Sequence, residues 1–158
     1  MGLLPFVALE LGLRAFDAGR PTEHLDPFFG FGKLHPQFTR HADTGKYVTT
    51  KSRQLFFGRQ EFAAVKPRNG FRAFCLGGST VRGRPYTTET AFAKWMQVEL
   101  AAGDAATQYE IVNCGGLSYA SYRLTPILQE VLNDEPNAIV IATGHNEFLE
   151  DRTYHSLK

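Results

Sequence analysis

Apolar residues gather along this chain in short runs, each closed by glycine, proline or polar turns. The run 71–76 is almost continuously apolar and lies between Gly70 and Gly77. That is the pattern of a strand covered on both faces. Residues 109–112, in a strand over 109–114, and residues 138–142 give similar apolar runs. Between the first two runs, Phe92, Trp95, Met96 and Leu100 recur at helical spacing and predict an inward apolar face. Thr87 or Thr88 is placed to cap that helix, Glu89 suits its first turn, and Gly103 and Asp104 end it. Between the second and third runs, Ile127, Leu128, Val131 and Leu132 form the inner face of another helix. Thr125 would cap it, Pro126 suits its first turn, and Pro136 and Asn137 stop it. Strand–helix–strand–helix–strand predicts an α/β fold: a doubly wound, flavodoxin-like parallel sheet with flanking helices, layered α/β/α.

The first 66 residues read differently. Residues 1–18 form a short apolar segment interrupted by Glu10, too short to span a bilayer. It lacks the basic start and small-residue cleavage site of a signal peptide. Two readings stand: an amphipathic helix with Leu4, Val7, Ala8, Leu11 and Ala15 on one face, or the remnant of a membrane anchor. Residues 19–66 form a loop-rich extension. Pro21, Pro27, Gly30, Gly32 and Pro36 break long elements, while Phe28, Phe29, Phe31, Leu34 and Phe38 are expected to dock on the main domain. One or two short strands fit 45–65, and 66–70 is a turn into the sheet, so the sheet-bearing domain covers 67–158.

The strand ends carry the candidate chemistry. The first presents Gly77-Gly78-Ser79, the second Asn113-Cys114-Gly115-Gly116-Leu117-Ser118, the third Gly144-His145-Asn146-Glu147. In a parallel sheet all three lie along one edge, where open α/β sheets place their ligands. A phosphate loop would need a Lys-Ser/Thr pair after its last glycine, or the spacing G-x-G-x-x-G, and the first turn has neither. An ester-cleaving site needs a hydroxyl nucleophile and N–H donors aimed at the developing oxyanion. A serine, a glycine-rich turn and an asparagine supply those groups.

These three blocks resemble the SGNH hydrolases, the GDSL-like lipases and esterases. Gly77-Gly78-Ser79 with Gly83 is similar to that family's first block, although Gly78 stands where the family usually has Asp. Residues 113–118 match the second block. Gly144-His145-Asn146 matches the third, with Glu147 in place of Asp. The resemblance runs from Phe71 to Tyr154, roughly half the chain. It implies Ser79 as nucleophile, and an oxyanion held by the Ser79 N–H, an amide of the 116–118 turn and the Asn146 side chain. Gapless alignment puts Ser118 at the family's oxyanion glycine, while Gly116 is the nearest glycine, so both remain candidates.

The family's fourth block, Asp-x-x-His, supplies the general base and is absent. Asp151 and His155 come nearest, one residue too far apart, and His155 reads more readily as a solvated side chain than as a base. The chain is therefore expected to be a fragment whose missing segment completes the site, with an exposed apolar sheet edge. Larger proteins that resemble it often begin with a membrane anchor, which favours the second reading of residues 1–18. A small-molecule, glycan or lipid ester at a cell envelope would suit such a tethered esterase or acyltransferase. A non-catalytic domain that binds a ligand or partner is the competing expectation.

Composition adds limits. At 158 residues, 43% hydrophobic and 13% aromatic, the chain can bury a core. A net charge of +1 gives no electrostatic reason to expect nucleic acid. Cys75 and Cys114 have no metal spacing and read as small buried apolar residues, with a disulfide conceivable if their strands are neighbours. No metal or organic cofactor is expected.

Overall fold

The computed structural model describes residues 4–15 and 35–154. The chain divides into two units, Met1–His35 and Pro36–Lys158. In the first, helix α1 (Leu4–Ala15) exposes Phe6, Val7, Leu9, Leu11 and Leu13. These side chains are not confined to the one face expected from Val7 and Leu11. Twelve residues reach about 18 Å against a hydrocarbon core of about 30 Å. No helix among the described residues is long and apolar enough to cross a membrane. Phe28, Phe29, Phe31, Leu34 and His155 lie outside the described residues.

The second unit is mixed α/β. Strands β1 (Phe38–His41), β2 (Lys46–Thr49) and β3 (Glu61–Ala63) form an antiparallel sheet in that order. Strands β4 (Gly70–Gly77), β5 (Gln108–Gly115) and β6 (Ala138–Ala142) form a parallel sheet of order β5-β4-β6. Helices α2 (Ser79–Arg82), α3 (Phe92–Gly103), α4 (Ser121–Val131) and α5 (His145–Tyr154) complete it. The β4 to β5 register runs from Gly70 opposite Gln108 to Gly77 opposite Gly115. Gly77 is also opposite Ala142 on β6, so the three carboxyl ends are level.

The pleat sends alternate residues of β4 into two cores. Phe74 and Leu76 join Val112, Cys114 and the α4 residues Leu124, Ile127 and Val131. Phe38, Phe57 and Phe62 enter the same core, so the segment from Pro36 onward shares its interior with the parallel sheet. Phe62 meets Phe38 and Phe74 edge-to-face at ring distances of 5.0 and 5.3 Å, a geometry that the ring quadrupoles favour. Glu130 of α4 fastens β1 by accepting the N–H groups of Gln37 and Phe38.

On the other face, Ala73 and Cys75 pack with Ile111, Val81, Ala93 and the partly buried Met96 and Leu100 of α3. Cys75 and Cys114 therefore lie on opposite faces of neighbouring strands, and both are free thiols. The pleat keeps apart the pair that the strand order brings close.

Three expected details change. Trp95 is 59% exposed and Phe92 40%, because Ala93 takes the sheet-facing position on α3. Thr88 and Glu89 belong to a separate 3-10 turn, and Ala91 precedes α3. Helix α4 begins at Ser121, leaving Pro126 inside it and Thr125 without a capping role. The early start has a tertiary cause: the Ser121 N–H donates to Glu147 Oε1 on α5 at 2.8 Å.

Arg72 ties the opposite end of the sheet together. It is 1% exposed, ion-paired with Glu110, and donates to the carbonyls of Asp134 and Ala63. Its guanidinium also lies 4.8 Å from the Phe62 ring centroid. A buried guanidinium needs such partners to offset its lost hydration.

Candidate functional site

Glycines let the carboxyl ends of β4 and β5 close up. A Cβ on Gly77 would collide with the Ala142 carbonyl and the Val81 side chain, and one on Gly115 with the Arg82 backbone. The chain therefore leaves β4 tightly and enters α2 at once, with Gly78 at the N-cap and Ser79 as the first helical residue. Ser79 is half-buried. Its carbonyl accepts the Gly83 and Arg84 N–H groups at 3.1 and 3.0 Å, and Gly83 closes the turn at φ +112°.

Asn113, on β5, holds this turn from below. Its side-chain Nδ2 donates to the Val81 carbonyl at 2.7 Å, and its Oδ1 accepts the Gly115 N–H at 2.9 Å. Both bonds are buried. Asn113 drew no role of its own from the sequence. The signal was available: a carboxamide in the middle of an apolar strand must find partners inside.

The second block follows β5. The Gly116 N–H donates to the Gly77 carbonyl at 2.9 Å, and that of Leu117 to the Phe56 carbonyl at 3.0 Å. The Gly116 amide, a candidate oxyanion donor, is thus already engaged with a carbonyl. Ser118 has φ +58° and is exposed, and its N–H makes no hydrogen bond among the described residues. Of the two candidates in this turn, Ser118 is the one with an available amide.

The third block opens α5. Asn146 is 7% exposed, and its Nδ2 donates to the Tyr119 carbonyl at 2.8 Å. The same amide nitrogen lies against Gly78, where any Cβ would strike it. A side chain at 78 and the observed Asn146 position exclude each other. Glu147 Oε1 accepts the Ser121 N–H and the Thr143 hydroxyl at 2.8 and 2.9 Å. Burial pushes the Glu147 carboxyl up, but the hydrogen bonds from Ser121 and Thr143 outweigh it and hold the group below its ordinary value.

One cavity of about 230 Å³ joins the first and third blocks, lined by residues 78–80 and 142–146. Ser79 and Asn146 share it; Ser118 does not line it. His145 does, although alternation along an extended backbone would turn it away from Asn146. Both residues begin a helix, so that alternation does not apply. Among the described residues no hydrogen bond joins the Ser79 hydroxyl to an imidazole. Burial pushes the Cys75 thiol up to about 11 and Cys114 well above its ordinary value, so neither supplies a thiolate nucleophile. No group of three or more His, Cys, Asp or Glu among the described residues could hold a metal ion. Compared with known proteins, the chain matches no family model, no curated protein and no solved structure.

Proposed function

We propose that the cavity at the carboxyl ends of β4 and β6 is the site of an SGNH-type serine ester hydrolase, on a doubly wound, flavodoxin-like sheet. The observation that carries this reading is the meeting of Ser79 and Asn146 across Gly78 in one cavity. The Ser79 hydroxyl attacks the ester carbonyl carbon and gives its proton to a base. In the cavity the tetrahedral oxyanion is held by the Ser79 N–H and the second hydrogen of Asn146 Nδ2, whose first is spent on Tyr119; the Ser118 N–H, outside the cavity lining, becomes a third donor only by moving toward it. Collapse of the intermediate expels the alcohol, which takes the proton, and leaves an acyl-serine. Water then attacks that ester and releases the acid. Each such oxyanion donor is typically worth about 2.7–4 kcal/mol of barrier.

The left-handed backbone of Ser118 supports its part, since the resemblance puts a glycine at that position and glycine favours such a φ. The resemblance makes the general base a histidine; among the described residues His145 lines the cavity without a hydrogen bond to Ser79, and His155 lies outside them. The substrate class is a small-molecule, glycan or lipid ester. The exposed apolar side chains of α1 support contact with a membrane surface.

A second reading, a binding domain without catalysis, is favoured by the lack of any described hydrogen bond from Ser79 to a base. Labelling with a serine-reactive fluorophosphonate separates the two. Labelling of the chain that disappears in Ser79→Ala supports the hydrolase, and its loss in His145→Ala or His155→Ala identifies the base. A folded chain that takes no label leaves the binding reading.

A further inference from the structure

A second cavity, of about 240 Å³, is enclosed by the segment 59–61, the 3-10 turn at 88–89, α3 and β5. It shares no lining residue with the cavity of Ser79 and Asn146. Local bonds build its walls. Gln60 Oε1 accepts the Asn113 N–H at 3.0 Å, and Glu110 Oε1 accepts the Ala63 N–H at 2.8 Å, so the chain around β3 is fastened to β5. A Cβ on Gly58 would strike the Thr88 hydroxyl, so glycine at 58 lets that segment approach the 3-10 turn.

The charges around this cavity are unevenly answered. Two carboxylates, Glu61 and Glu89, line it with two cations, Arg59 and Lys94. Lys46 holds Glu61 at 2.6 Å. The Thr87 side chain and the Glu89 N–H hold the Glu89 carboxyl below its ordinary value. The side chains of Arg59 and Lys94 make no hydrogen bond or ion pair among the described residues, and act on Glu61 and Glu89 only across space. The acids are already served and the bases are not. A guanidinium offers a planar fork that matches an oxyanion, and an ammonium adds a point charge. Gln97 adds a second preference. Its Nε2 is spent on the Tyr109 carbonyl at 2.9 Å, which leaves Oε1 as an acceptor. An acceptor beside two cations suits a ligand that carries a hydroxyl near its oxyanion.

We propose that this cavity is an anion-binding site, in which Arg59 and Lys94 hold the oxyanion of a small hydroxylated phosphate or carboxylate and Gln97 accepts its hydroxyl. The cavity is smaller than the about 300–1,000 Å³ of drug-sized sites, which restricts the ligand to a small molecule. Both cations are exposed, so binding is weak, with a Kd of about 1 mM, and falls as salt is added. The site is independent of the ester chemistry proposed for Ser79.

Amide shifts of the full 15N-labelled chain test this at low salt, with glycerol 3-phosphate, malate and, as the neutral control, glycerol. Saturable shifts at Thr88, Lys94, Gln97 and Ile111 are expected with at least one of the two anions and not with glycerol. The anion that saturates first tells phosphate from carboxylate. The double change Arg59→Gln with Lys94→Gln should weaken binding by about tenfold or more. The charge-conserving pair Arg59→Lys with Lys94→Arg should retain it, which separates lost charge from lost folding. Ser79→Ala should bind as wild type does. No saturation with either anion by about 10 mM, equal shifts with glycerol, unchanged affinity in the double Gln variant, loss of binding in the charge-conserving pair, or loss in Ser79→Ala would each overturn the assignment.

Discussion

The side-chain amide of Asn113 donates to the Val81 carbonyl at 2.7 Å and so binds the strand β5 to the turn that carries Ser79. A helix as short as α2 satisfies few of its own carbonyls. Asn113 supplies what the helix cannot, and its Oδ1 is answered by the Gly115 N–H.

Asn113→Ala removes one partner from each of these two buried bonds. Leaving a buried group unpaired costs about 1–3 kcal/mol, so the midpoint of chemical denaturation should fall accordingly. Native-state hydrogen exchange in 79–83 should quicken by more than the loss of global stability explains. Equal protection of that turn in wild type and variant would refute the clamp.

Gly78 and Gly103 make a paired prediction. A methyl at 78 would strike the Asn146 amide, which is itself bonded to Tyr119. Gly78→Ala should therefore destabilise by about 1–3 kcal/mol through strain at a packed site. Gly103 ends α3 with nothing within 4 Å of a built Cβ and no positive φ. Gly103→Ala should stabilise by about 0.4–1 kcal/mol by restricting the unfolded chain. Thermal melts of both read the two signs directly. If Gly78→Ala melts no lower than wild type, Asn146 is free to move and its placement over the Ser79 turn is not fixed.

The sheet strands are legible because each carries a short apolar run closed by turn residues; 138–142 falls on β6 without adjustment. Helix α3 was harder, since its apolar residues lie on more than one side. Large residues looked like core, yet Ala73 and Cys75 present a shallow surface that takes Ala93 against it, and Trp95 is left outside. The start of α4 depends on Glu147, which is 26 residues away along the chain from Ser121. No local pattern announces such a cap. Three strand ends can be read as one edge, but which amides of the 116–118 turn are already spent depends on the Gly77 and Phe56 carbonyls, which no local pattern announces.

Arg72 and Glu110 form a buried pair with unequal exposure, 1% and 19% of their side chains. Breaking one partner of such a pair is strongly destabilising, about 3–5 kcal/mol. Arg72→Met should also lose the bonds to the Asp134 and Ala63 carbonyls and lie at the upper end. Glu110→Gln keeps an acceptor for Ala63 and should cost less. In a double-mutant cycle the two changes should cost less together than the sum of each alone. Strict additivity would mean that the pair contributes no coupling.

Glu147 sets a pH dependence with a defined sign. Its carboxyl is held below the ordinary value of 4.5, since the bonds from Ser121 and Thr143 exceed the opposing effect of burial. A group with a depressed folded pKa contributes stability above its unfolded pKa and loses it as pH falls through the folded one. The Glu147 contribution should thus be constant from neutral pH to about pH 5 and decline below 4.5. Asp134 works against it in the same acid range, because burial raises its pKa and protonation favours the folded chain. The total acid limb mixes both, so the informative measurement is the difference between wild type and Glu147→Gln. That difference should be present at pH 7, shrink as the pH falls below 4.5, and be accompanied by faster exchange of the Ser121 amide. A difference that grows on acidification would mean that the protonated Glu147, not the carboxylate, caps α4.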